Sequence, residues 1–168
     1  MKVVCNSSVI IGLSVIGKLD LLWKLFDEIY VPSSVYHEVC IKGRGRVGST
    51  ELSNAIKQGK IKIISPKNKT LVESLVDPLG YGESETIVLA IELSADYACI
   101  DEKIARKKAF RLGVKVKGTI GILWLALRRN LVSKEEFLRC IGMLEKFGFR
   151  FPKKVIEEYL RKLKNRNP

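Results

Sequence analysis

The chain alternates short unbroken apolar runs with longer stretches in which apolar residues recur every three or four positions. The first pattern marks strands buried on both faces, the second helices with one face on a core. Residues 2–5 read as a strand, 8–16 as a helix broken near Gly17, and Leu19–Phe26 as a second helix. "EIYVP" is a strand stopped by Pro32, and "SSVYHEVCI" is a helix in which Val35/Val39 and Tyr36/Cys40 stack four apart. "KGRGRVG" is a loop, Ser49 caps a helix through Lys57, and "KIKIIS" is a third strand ended by Pro66. A helix over 69–76 is broken by "DPLGYG". "ESETIVLAIELS" is helical, "YACI" a buried strand, "DEKIARKKAF" a helix and "VKVKG" the last strand. From Thr119 onward three helices follow: "TIGILWLALRRN", "SKEEFLRCIGMLEKFG" and "PKKVIEEYLRKLKNR". This alternation predicts an α/β sandwich around a mainly parallel sheet over residues 1–127, with a helical C-terminal extension over 128–168 packed on the same domain.

Length and composition agree with that picture. With 168 residues, 46% of them apolar and 29% charged, the chain suits one soluble domain with a sizeable core. No uninterrupted apolar stretch reaches about 18 residues, so no membrane span is expected, and the start shows a strand-like run without a small-residue cleavage site, so no signal peptide is expected. Cys5, Cys40, Cys99 and Cys140 are scattered in apolar surroundings, and His37 is the single histidine. Reduced core thiols in a cytoplasmic protein fit better than zinc ligands. Apolar residues of the C-terminal helices, among them Trp124, Phe137 and Phe147, read as core packing. Charge is the first functional hint: thirty Lys and Arg face eighteen Asp and Glu, a net +12. That balance suits a polyanion such as RNA or DNA, or simply a highly charged soluble surface.

"GRGRVG" at 43–48 has the Gly-x-Gly-x-x-Gly spacing of a dinucleotide loop. Such a loop must lie between a strand and its helix, and here a helix precedes it. A basic loop offering Arg44 and Arg46 to phosphates fits better. A second constellation is acidic. In an open parallel sheet, strand C-termini and the N-termini of the next helices share one edge, where ligands bind. Asn6 follows the first strand, Asp101 follows "YACI", and Glu83 and Glu85 open a helix at that edge. Glu38 flanks Val35 and Val39 on its helix and can lean toward the same edge. Helix capping would explain Asn6 and Asp101 singly, and the helix dipole Glu83 and Glu85. Gathered together, carboxylates repel unless a cation joins them, and Mg²⁺ or Mn²⁺ suits oxygen ligands.

These segments resemble the PIN domains, a family of metal-dependent nucleases that includes toxins of toxin–antitoxin pairs. The likeness runs through "VVCNSSVIIGL", "VPSSVYHEV", "GESETIVLAIE", "YACIDEKIARKKA" and "VKVKGTIGIL", over about residues 1–127. The helices beyond are similar to an uncharacterised tail on a subgroup of such proteins. The resemblance implies a three-layer α/β/α sandwich. It also implies an acidic set falling on Asn6, Glu38, Glu85 and Asp101, with Ser8 and Thr119 in support and Glu83 and Glu102 as neighbouring substitutes. These residues would hold Mg²⁺ or Mn²⁺ and hydrolyse a phosphodiester. Lys103, Arg106 and Lys107 would join Arg44 and Arg46 in holding nucleic-acid phosphates. The resemblance implies a ribonuclease acting on RNA, with DNA as the alternative substrate, as a homodimer and with an antitoxin as a further partner. One departure stands out: the family's first acid, usually Asp, is Asn6 here, so the formal ligand charge falls from four negatives to three. That keeps a second reading open, a PIN-fold nucleic-acid-binding protein with little or no cleavage. A third, an α/β protein for a small phosphorylated ligand, rests on fold analogy alone. Both nucleic-acid readings predict RNA affinity that falls steeply as salt rises in a binding titration; absence of binding even at low salt would remove both.

Overall fold

The computed structural model describes residues 1–164. In chain order these form β1 (Lys2–Cys5), α1 (Ser7–Val15), α2 (Leu21–Leu25), β2 (Glu28–Val31), α3 (Ser33–Tyr36) and α4 (Ser49–Lys57). They continue with β3 (Lys62–Ile63), α5 (Lys69–Leu75), α6 (Tyr81–Glu92), β4 (Tyr97–Cys99) and α7 (Lys103–Arg111). The last are β5 (Val116–Lys117), α8 (Thr119–Arg128), α9 (Lys134–Phe147) and α10 (Lys153–Lys164). The five strands form one sheet in the order β3-β2-β1-β4-β5, and every pairing is parallel.

The strands are continuously apolar because both faces are covered. Val3, Cys5, Ile29, Val31 and Cys99 pack with residues of α1, α2, α4, α8 and α9. Their neighbours Val4, Tyr30, Ala98 and Ile100 pack with α5, α6 and α7 on the other side. Period-two alternation of the pleat sends successive side chains into separate cores, giving the three layers. All four cysteines are free and buried, with Cys5 and Cys99 directly paired across β1 and β4.

Four local expectations shift. The strands expected over "KIKIIS" and "VKVKG" shrink to two residues each, since both lie at sheet edges and pair on one side only. The helix begun by α3 widens into π-helical winding over His37–Lys42, where Gly43 N–H reaches the Glu38 carbonyl at 2.9 Å. Ser49 does not cap α4. The cap is Gly48 at φ 97°, whose N–H donates to Glu51 Oε2 at 2.9 Å. The helix expected to open at Glu83 starts at Tyr81, so Glu83 is its third residue and Glu85 its fifth, on the opposite side.

Beyond α8, Ser133 caps α9 by accepting the Glu136 N–H at 3.1 Å. Phe137, Cys140, Ile141 and Leu144 then enter the same core as α1 and α8. Gly148, at φ 116°, ends α9 in the left-handed conformation that favours glycine. The Tyr159 ring of α10 stacks on Trp124 at 4.8 Å. Phe147 departs from the expected core role: it is 52% exposed on the outer side of α9, against Phe149. The last expected helical residues, 165 and 166, lie outside the described residues. Among those described, no helix is long and apolar enough to cross a membrane.

Phe137 is fully buried in α9, so Phe137→Ala is expected to remove about 3–5 kcal/mol of unfolding free energy in denaturant melts. A loss below about 1 kcal/mol would show that the extension unfolds apart from the sheet.

Candidate functional site

The C-terminal ends of β1, β4 and β5 are held level by the backbone. Asn6 N–H donates to the Cys99 carbonyl at 3.0 Å, and Ile100 N–H to the Lys117 carbonyl at 3.0 Å. Asn6 therefore leaves the sheet next to the strand that leads to Asp101, and Thr119 begins α8 in contact with Asp101. Asn6 is 1% exposed and its side chain does not cap α1. Its Nδ2 donates instead to Glu83 Oε1 at 3.3 Å, and its Oδ1 accepts a long bond from Ser7 Oγ at 3.4 Å. Asp101 does not cap its own helix either. It crosses to α8, where Oδ1 accepts the Thr119 N–H and Oδ2 the Thr119 hydroxyl, both at 2.7 Å. The carboxylate thus serves the N-terminus of α8, where the helix dipole favours negative charge.

Burial pushes the Asp101 carboxyl above the ordinary value of 3.8, against the lowering pull of Thr119, Arg106 and Ser8. Ser8 Oγ stands near enough to contribute, yet is buried without a hydrogen bond of ordinary geometry. Thr119 is fully buried.

Glycines make room around these groups. A Cβ on Gly82 would sit 3.2 Å from Asn6 Oδ1 and 3.3 Å from Glu38 Oε2, so these oxygens flank the space above that residue. A Cβ on Gly118 would meet Asp101 Oδ1 at 2.7 Å and Arg106 Nη1 at 2.9 Å. Neither glycine was singled out in the sequence, although both stand at helix starts beside acids or hydroxyls. Glu83 also accepts the Gly80 N–H at 3.0 Å, closing the first turn of α6. Glu85 is turned elsewhere. It is 6% exposed, accepts the Ser34 N–H at 3.2 Å and pairs with Lys69 at 3.4 Å. Glu38 and Glu102 are exposed.

The structure thus brings Asn6, Glu38 and Glu83 around Gly82, with Asp101 and Thr119 across the edge. Glu85 ties α6 to α3 and α5. Among the described residues, no three acidic, histidine or cysteine side chains gather closely enough to hold a metal ion by themselves. The donors on offer are all oxygen, the class that Mg²⁺ and Mn²⁺ take, and the space above Gly82 lies between two of them. In kind, the residues fit a hard cation.

Lys103 and Lys107 are exposed on α7. Arg106 is half-buried and donates to the Ile100 carbonyl at 2.8 Å, which fixes its guanidinium behind Asp101. Arg44 and Arg46 are exposed in the turn between the π-helical segment and α4, which is no strand-to-helix crossing for a dinucleotide. A cation not anticipated is Lys117, half-buried over the Tyr97 ring at 4.3 Å, with its pKa pushed down by burial.

An all-parallel α/β/α sandwich with Asp101 at a strand end and the acids of neighbouring helices at the same edge gives the class of protein, and comparison identifies it further. A family model described as PIN domain matches residues 2–165, and the chain belongs to that family. The fold is similar to a PilT N-terminus domain protein from the hyperthermophilic archaeon Sulfolobus solfataricus P2. That likeness has a TM-score of 0.58 and 21% identity, over 76% of this chain and 94% of that one. No curated protein matches the chain.

The raised pKa of Asp101 gives a signed prediction. A carboxyl whose folded pKa lies above its unfolded value binds its proton more tightly when folded. The stability this confers is present at low pH and is lost as pH rises from 3.8 through the folded value. In metal-free buffer, Asp101→Asn keeps the shape without the charge. It is expected to gain stability relative to wild type as pH rises from about 4 to 7, read in urea melts. A stability difference that is flat over this range would contradict the burial effect.

Proposed function

We propose that this PIN-domain protein is a metal-dependent ribonuclease that hydrolyses phosphodiester bonds in RNA. The observation that carries the reading is the meeting of Asn6, Glu38 and Glu83 around Gly82, opposite Asp101, at the carboxyl edge of a parallel sheet. Asp101, Glu38, Glu83 and the Asn6 carbonyl would hold Mg²⁺ or Mn²⁺ partly through bridging waters, because the three carboxylates do not gather closely enough to bind it directly. When bound there, such an ion polarises a phosphate oxygen and lowers the pKa of a water. Thr119 fixes both Asp101 oxygens, so that carboxylate needs no reorganisation when a ligand arrives. Glu85, the acid that the family resemblance favours, supports the site by clamping the N-terminus of α3, the element that leads to Glu38. Lys103 and Lys107 would take flanking phosphates. The resemblance extends the proposal to a toxin with a cognate antitoxin; a small open reading frame overlapping the start of this gene would support that role.

One observation favours a second reading, nucleic-acid binding with little cleavage. The Asn6 amide donates to Glu83, so this part of the edge is cohesive without a cation. An Asp in its place would repel Glu83 until an ion joined them.

Metal titration and cleavage separate the two. Mn²⁺ is expected to raise the Tm of wild type and to leave that of Asp101→Asn unchanged; equal shifts would remove Asp101 from the site. Asn6→Asp is expected to lower the Tm in metal-free buffer, to bind Mn²⁺ more tightly and to speed any cleavage. If RNA is cleaved only with metal, Asp101→Asn should slow the reaction about 100-fold or more. RNA that binds and stays intact with Mn²⁺ present would select the second reading.

A further inference from the structure

Phe110 is 79% exposed, the most exposed large apolar side chain among the described residues. It lies on α7, "KIARKKAFR", which carries five cations and no acid. The helix does not need this ring for packing. Ala105 and Ala109 are fully buried and seat α7 against the core it shares with α6. Phe110 is therefore displayed on the outer face. Helical spacing puts it in one stripe with Lys103, Arg106 and Lys107, which precede it by seven, four and three residues. Helical side chains lean toward the N-terminus, so the ring covers the turn holding Arg106 and Lys107. The stripe runs about 10 Å from Phe110 to Lys103, and Lys103 begins the helix just after Asp101.

A flat ring beside cations is the pairing that holds single-stranded nucleic acid: cations follow the phosphates while bases stack on the aromatic face. A duplex keeps its base faces covered and offers the ring nothing. A second copy of this chain is a poor occupant, because a two-fold contact across this stripe would set Lys and Arg against Lys and Arg. We propose that Phe110 is a base-stacking residue and that α7 is a track for single-stranded RNA leading to the Asp101 edge. The assignment rests on the RNA reading above and adds the residue of this chain on which an unpaired base would stack.

The test is fluorescence anisotropy in EDTA, with an unstructured oligoadenylate and an RNA hairpin of equal length, over a series of salt concentrations. Phe110→Ala is expected to weaken oligoadenylate binding about 10-fold, to leave hairpin binding unchanged and to keep the salt slope. Phe110→Trp is expected to restore affinity, and Lys107→Ala to lower the salt slope by about one. Equal oligoadenylate affinity for wild type and Phe110→Ala would overturn the stacking role and leave the RNA reading intact. So would a Phe110→Ala change that alters only the sedimentation of a dimer, or only binding to anionic lipid vesicles. Wild type that binds neither RNA at low salt would take both readings down. Because the ring is exposed, the variant should fold, and an unchanged Tm verifies this.

Discussion

The hydrogen bond from Asn6 N–H to the Cys99 carbonyl lies one residue beyond β1, and the rest of the edge depends on it. It carries the β1–β4 ladder past the last strand residue, so the chain exits beside Ile100 before turning into α1. The bond from Ile100 to Lys117 does the same between β4 and β5. Three chain exits are thereby brought level, and each is followed by a polar residue: Asn6, Asp101 and Thr119. Parallel pairing makes this geometry possible, because it collects every strand C-terminus on one side.

The frame was legible where burial was unambiguous. "VVC" and "YACI" are covered on both faces, so an unbroken apolar run identified each strand. The edge strands β3 and β5 gave a weaker guide, because Lys62 and Ile63 are exposed and paired on one side only. Asn6 and Asp101 read from the sequence as standing at the carboxyl edge of the sheet, but local capping cannot be weighed there against contacts to distant helices. The structure decides for the latter at both positions. Which acid of α6 stands beside Asn6 was the least legible choice. Glu83 and Glu85 are separated by about 200° around a helix, so only one can face that way. The choice depends on where the helix starts and how it is rotated on the sheet.

The C-terminal helices reach the site from behind. The Phe149 ring packs so closely on α1 that a Cβ at Gly12 would lie 3.0 Å from it and 3.0 Å from Thr119 Oγ1. Phe149 of the extension and Thr119, the residue that holds Asp101, therefore face the same point on α1. It adds no charge at that point. It fills the space beneath the edge and packs against α1 and α8, the two helices that begin there.

The hydrogen bond between Asn6 and Glu83 has a consequence for how the edge behaves in a cell. Where two carboxylates meet, shape follows ion supply: the groups separate when the cation leaves and close when it returns. Exchanging one oxygen for an amide nitrogen breaks that link. At this one position the end of β1 is joined to α6 by the protein alone, through a hydrogen bond that needs no ion.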